Sequence, residues 1–306
     1  MEEQKNSIIR QFGTENIDIN SGKRNIMITY DVRTLQLRIL NNLMAVDKVC
    51  REHQIRYYIY DGTMLGAVRH KGFIPWDDDL DIAMPREDYE IFIAHANEWL
   101  EQPYEFVCAE NDPNYPLPFG KVQDASTTLI ERPHLPYLGG IYIDVFPIDG
   151  VPDNKLIRWF HLVSYDVMKK VIYMAYRDPY RHGHGPSSWL PLFCRKVIGK
   201  QCAQRFTRRL LRAYDFKHHF NICVYDDGFK GVINKEIIGN PTPVQFEGKE
   251  VMGVEKADAY LSHMYGDYMT IPKDADQRQH KFYYLDLHKP YREFDWKKWN
   301  QSTQNQ

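Results

Sequence analysis

From Asp31 onward, Leu35, Ile39, Leu43, Val46 and Cys50 recur at intervals of three and four residues, and Leu40 and Met44 widen the stripe. That period predicts an amphipathic helix ending near His53. The apolar run 57–60 reads as a strand stopped at Asp61 and Gly62, where a tight backbone turn fits. A short helical segment carrying Leu65, Ala67 and Val68 follows, then Arg69, His70, Lys71 and a turn marked by glycine and proline. Residues 80–84 predict a second strand. Pro85, Arg86, Glu87 and Asp88 then open a helix whose proline and acids suit the free N–H groups and dipole of a first turn. Its buried stripe is Tyr89, Phe92, Ile93, Ala96 and Leu100. Short strands are expected over 104–109, 119–123, 127–130 and 141–146, punctuated by prolines.

Residues 153–219 predict helix. Leu156, Trp159, Phe160, Val163, Val167, Val171 and Ile172 form one broad apolar stripe, and Asn154 fits its start. After the glycine-rich break RHGHGP, in which His182 and His184 read as loop residues, a second helical stretch over 195–217 is strongly basic, with Asp215 its only acid. It reads either as a solvated face or as a contact for anionic lipid headgroups or a polyanionic acceptor. From Asn221 the chain returns to short strands, with a hairpin-like turn over 246–249 and a helix over 257–265 that ends before Gly266. The expected organisation is a polar segment over 1–29, one catalytic domain over 30–290 with the basic helical insertion 153–219, and a polar tail over 291–306.

A chain of 306 residues buries a substantial core. With 39 basic against 41 acidic residues, it carries no global nucleic-acid signature. Cysteines 50, 108, 194, 202 and 223 have no zinc-ligand spacing and read as reduced thiols. No apolar leader or spanning segment is legible. These features predict a cytoplasmic protein, with the inner membrane face as a site of peripheral contact.

The acids carry the chemistry. On a strand, Asp79 and Asp81 share one face while Leu80 and Ile82 take the other. At a rise of ~3.3 Å per residue the two carboxylates lie about 7 Å apart, and a cation between them relieves their repulsion. Hard oxygen ligands suit Mg2+ or Mn2+. Asp77 has the same parity, whereas Asp78 is expected to point elsewhere. Asp144, alone among Ile141, Ile143, Val145 and Phe146, needs a partner, which an arginine, backbone N–H groups or the same metal supplies.

The motif DGTMLGAVRHKGFIPWDDDLD, running from Asp61 to Asp81, resembles the LicD family of bacterial phosphocholine transferases, fukutin and fukutin-related protein. YPLPFGKVQDASTTLIE, GGIYIDVFPIDG and YLSHMYGDYM resemble that family as well. The resemblance spans about residues 31–290 and reaches the nucleotidyltransferase superfamily. It implies an α/β (α+β) fold, a nucleotidyltransferase-like mixed sheet with packed helices.

It also implies Gly62 and Thr63 as the phosphate-holding turn, Asp79, Asp81 and Asp144 as metal-binding catalytic acids, and Arg69 and Lys121 as substrate-binding cations. Thr63 stands where the superfamily has serine. The implied reaction moves phosphocholine from CDP-choline to a hydroxyl of a teichoic acid, a lipopolysaccharide or a lipid-linked glycan precursor, and releases CMP. Phosphoethanolamine or ribitol phosphate is the alternative cargo, and a non-catalytic glycan- or nucleotide-binding module is the alternative class. Arg278 and His280 are expected at the surface.

Overall fold

The computed structural model describes residues 14–17, 24–27 and 30–299, apart from 136, 275, 276, 278 and 297. Two short strands, β1 (Thr14–Ile17) and β2 (Arg24–Met27), pair antiparallel within the expected polar N-terminal segment, the rest of which lies outside the described residues. Helix α1 (Val32–Glu52) starts where the Asp31 carboxylate accepts the backbone N–H groups of Arg33 and Thr34 at 2.9 and 3.2 Å. Its predicted stripe is buried. Then follow β3 (Tyr58–Ile59), α2 (Asp61–His70), β4 (Asp81–Pro85) and α3 (Arg86–Trp99). The next strands are β5 (Tyr104–Val107), β6 (Gly120–Asp124), β7 (Thr128–Ile130) and β8 (Tyr142–Gly150).

Strand β8 is the spine of a seven-stranded mixed sheet. Along one edge it runs parallel to β4, with Asp144 opposite Asp81. Along the other, its first half pairs antiparallel with β6, with Asp144 opposite Lys121, and its end pairs with β9 (Asn221–Cys223). β3, β5 and β10 (Ile233–Asn234) lie outside β4, β6 and β9. The α/β class with a mixed sheet agrees with the sequence reading. Helix α1 packs on β6 and β8, and the buried Asn42 amide donates to the carbonyls of Val122 and Ile141 at 3.3 and 3.1 Å.

The loop before β4 is held from two sides. Gln36 of α1 donates to the carbonyls of Ile74 and Asp77 at 3.1 and 2.8 Å. At Gly66 a Cβ would stand 2.5 Å from the Gly72 carbonyl oxygen, so only glycine lets the turn after α2 fold back on the helix. A hairpin of β11 (Thr242–Phe246) and β12 (Lys249–Gly253) turns at Glu247 and Gly248, both with positive φ, as its sequence predicts. Glu247 accepts the Phe73 N–H at 3.0 Å and binds Arg33 bidentately.

Three helices, α4 (Lys155–Tyr176), α5 (Pro186–Phe193) and α6 (Lys200–Leu211), form the expected helical insertion, and Asn154 caps α4. The single basic helix expected over 195–217 is not there. A π-turn over Cys194–Ile198 ends at Gly199, whose φ of 80° breaks the helix, and α6 stops at Leu211. Asp215, the acid of that stretch, lies beyond α6 and accepts from the His218 N–H. Further on lie α7 (Lys235–Ile238), α8 (Ala257–Tyr265) and β13 (Tyr284–Asp286), which pairs with β7. Helix α8 ends at Gly266, φ 68°, as expected. The tail expected from residue 291 begins fastened to β5: Tyr291 donates to Glu105 at 2.6 Å, and Arg292 pairs with the same carboxylate. The five cysteines are free thiols.

Candidate active site

The strand expected at residue 80 begins at Asp81, so Asp79 stands in the loop that Gln36 holds rather than on the ladder. Asp81 is fixed by both neighbours. Its N–H donates to Thr63 Oγ1 at 2.8 Å and its carbonyl accepts the Tyr60 N–H at 3.0 Å, locking the start of β4 to the first turn of α2. Thr63 therefore orients an acid with its side chain, and the first turn of α2 directs N–H groups that have no intrahelical acceptor. Gly62 faces the same place, since a Cβ there would lie 3.0 Å from Asp77 Oδ2.

Lys121, Asp144 and Asp81 form a row across β6, β8 and β4, one opposite the next. Lys121 is buried, with its ammonium 3.2 Å from Asp144 and 3.0 Å above the Tyr142 ring. The expected lone acid of β8 thus has a lysine as its partner. Burial pushes Asp144 up to about 6 although Lys121 draws it down, and burial pushes Lys121 below its usual value. At neutral pH Asp144 is ionised and able to accept a proton.

The remaining carboxyls crowd together. Burial, then Asp79 and Asp144, push Asp81 well above the usual carboxylate range. Burial and Asp79 push Asp77 up to about 9. A second pair was not foreseen from sequence: Asp227, pushed up to about 9 by burial and by Asp61, lies against Asp61, which burial raises to about 6. Tyr260 of α8 donates to Asp61 at 3.0 Å. The signal for Asp227 was present in Asp226 and Asp227 following the apolar run Ile222–Tyr225. Like charges in low dielectric cannot all ionise, and carboxylate oxygens are the donor type that a hard divalent cation takes.

Asp78 does point elsewhere. It is buried, accepts the Tyr30 hydroxyl, and receives both the backbone N–H and ring Nδ1 of His280, the latter at 2.8 Å. His280 is partly at the surface, as expected, but it belongs to the site's wall; Arg278 lies outside the described residues. Asp78, Asp79 and His280 are the group whose ligand atoms, among the described residues, all lie within 4.8 Å of one another. The hydrogen bond to Asp78 raises His280 to about 9.

This pair predicts a pH dependence. The folded value lies above the ordinary 6.5, so the stabilisation is complete below about 6.5 and is lost as pH rises through about 9. Discounted for a side chain 39 % exposed, it amounts to about 1 kcal/mol. Urea unfolding of wild type is expected to lose that increment between pH 6 and 10, and His280→Gln to lack the change.

Arg69, at the end of α2, donates through Nη1 to the carbonyls of Tyr268 and Thr270 at 2.8 and 3.4 Å, tying down the segment after α8. Beside Lys121, an open recess is lined by Leu117, Glu131, Arg132, Tyr137 and Tyr142. Glu131 remains ionised in it: although burial pushes it up, Lys121, Arg132 and the Tyr142 hydroxyl hold it down at about 2.

Residues 54–170 match the family described as LicD/FKTN/FKRP, nucleotidyltransferase domain. The chain is 28% identical over 267 residues to the lipopolysaccharide cholinephosphotransferase LicD of Haemophilus influenzae, covering 81% of this chain and 95% of that protein. An uncharacterised protein of Rickettsia prowazekii is 60% identical over 51 residues, 17% of this chain and 19% of its own. An uncharacterised protein of Caenorhabditis elegans is 30% identical over 131 residues, 42% and 32% of the two chains.

Proposed function

From the match of residues 54–170 to the LicD family and the likeness to a cholinephosphotransferase along 81% of the chain, we propose that the protein is a phosphotransferase moving phosphocholine from CDP-choline to a hydroxyl of a bacterial cell-surface glycan. Lipopolysaccharide is the first acceptor to consider, because the relative matched along nearly its whole length is a lipopolysaccharide cholinephosphotransferase. The observation that carries the reading is the row Lys121, Asp144 and Asp81, standing beside the first turn of α2.

In the reaction an acceptor oxygen bonds to the phosphorus bearing choline. The bond from that phosphorus to the bridging oxygen breaks, and CMP leaves with the electron pair. Such a transfer depends on in-line positioning and charge stabilisation. Asp144, ionised at neutral pH, takes the acceptor's proton. The N–H groups of Gly62 and Thr63 at the start of α2 hold a donor phosphate, and Lys121 places a point charge beside it. Arg69 adds positive charge and anchors the segment at Tyr268. Asp79, Asp81 and Asp144, with Asp77, would hold Mg2+ or Mn2+, which when bound polarises the pyrophosphate oxygens and neutralises charge on the departing nucleotide. The Tyr142 face is taken by the Lys121 ammonium, so choline's own aromatic contact lies elsewhere.

Release of CMP from CDP-choline, CDP-ethanolamine and CDP-ribitol, each with a crude glycan acceptor and either Mg2+ or EDTA, tests the donor. CDP-choline is expected to turn over fastest, and only with Mg2+. Preference for another donor overturns the cargo, and binding without turnover of any donor overturns the enzyme.

A further inference from the structure

A helix whose apolar residues repeat with the helical period ordinarily turns that stripe to the core. Helix α4 does not. Its protein-facing side is a second set, Leu162, Tyr165, Ile172 and Tyr176, which packs with Leu211 and Ala203 of α6. The sequence's stripe divides: Val171 and Ile172 at its end face the protein, whereas its earlier part lies on the opposite side, where Leu156, Phe160 and Val167 are 66, 57 and 51 % exposed. The neighbouring α5 and π-turn expose Trp189, Phe193 and Val197 at 67, 53 and 67 %. These elements pack on α4, so the exposed apolar side chains belong to one helical layer. Among the described residues no helix is long and apolar enough to cross a membrane.

Charge narrows the choice of what covers this face. Residues 155–212 hold thirteen lysines and arginines against two acids, Asp166 and Asp178, a net of +11 in a chain whose total is −2. Some of these cations are committed: Lys169 pairs with Asp226, Arg208 with Glu110 and Arg212 with Glu90. Lys155, Lys170, Lys196, Arg205 and Arg209 are exposed, and no ion pair among the described residues involves them. A second copy meeting this face to face would set like charge against like. A surface that presents negative headgroups above acyl chains satisfies both the cations and the apolar side chains, with tryptophan at the boundary.

We propose that the outer face of α4, α5, the π-turn and α6 is a docking surface for an anionic lipid bilayer, on which the protein lies without spanning it. The inference is independent of the donor and of the chemistry at the acids. A transferase acting on lipid-linked glycan would gain from it, because docking confines the enzyme to the plane of its acceptor.

The test is sedimentation of the full chain with vesicles of phosphatidylcholine alone or mixed with phosphatidylglycerol. Wild type is expected to bind the mixed vesicles, to bind phosphatidylcholine alone at least tenfold less, and to weaken in high salt. Trp189→Ser with Phe193→Ser, and separately Lys196→Glu with Arg205→Glu, are each expected to lower binding about tenfold or more. All four side chains are exposed or solvent-facing, so the thermal transition of each variant is expected to match wild type. Equal binding of the two vesicle types, or undiminished binding by both folded variants, overturns the proposal. So does a concentration-dependent dimer that the variants abolish while wild type ignores vesicles, or capture by an acidic protein instead of lipid.

Discussion

Replacing Asp81 with asparagine is expected to lower transfer at least about 10²–10³-fold, the scale of losing one preorganised electrostatic contributor, while leaving the fold intact. Asp81 is locked by its backbone to Thr63 and Tyr60, so the amide takes the same place. Without a cation the variant is expected to be more stable than wild type. The Asp81 carboxyl is held well above its ordinary value by burial and by Asp79 and Asp144, so the native state binds a proton that the unfolded chain does not. Stability of the metal-free wild type therefore falls as pH rises above the ordinary carboxylate range, and Asp81→Asn removes that loss. Added Mg2+ is expected to raise the melting temperature of wild type and to do so far less for the variant. Calorimetry with EDTA and with Mg2+, beside the activity assay, separates these effects. A variant that is both active and unchanged in its response to Mg2+ contradicts the assignment of Asp81.

The second large effect is structural. Arg86, at the start of α3, binds Asp149 at the end of β8 through two hydrogen bonds of 2.7 and 2.6 Å, and both side chains are buried. The guanidinium also reaches Glu90 at 3.1 Å and lies over the Tyr89 ring. The pair fastens α3 to the strand that carries Asp144. Asp149→Ala removes the buried, bidentate partner of Arg86 and leaves only the more exposed Glu90 beside the cation, and it is expected to cost about 3–5 kcal/mol, or roughly 10 °C in a chain of this size. Arg86→Met with Asp149→Leu removes both charges and fills the space, and it is expected to recover most of that loss. Thermal unfolding of the single and double variants measures it. A double variant as unstable as the single one would show that the loss comes from packing and not from the orphaned charge.

Which parts were legible in the sequence follows from the range of the forces involved. The stripe of α1, the cap at Asp31, the turn at Glu247 and Gly248, and the end of α8 at Gly266 are local, set by period, side-chain capping and φ. The acids of 77–81 were legible because four like charges beside an apolar strand demand a reason. Neighbours far along the chain were not. Asp227 joins Asp61 after β9 pairs with the end of β8, and His280 joins Asp78 because the segment after α8 returns to the site. The outward stripe of α4 had the right period, but period alone does not say which face the protein covers. The break at Gly199 turned on one residue adopting positive φ within a basic run.

The central claim, that the acids of β4 and β8 serve transfer of phosphocholine, is tested most directly by identifying both products formed from CDP-choline and a lipopolysaccharide acceptor. Mass spectrometry is expected to find free CMP together with acceptor bearing phosphocholine, and neither product with Asp81→Asn. Free phosphocholine with CMP attached to the acceptor would place attack at the other phosphorus. Turnover that survives in Asp81→Asn would remove these acids from the chemistry.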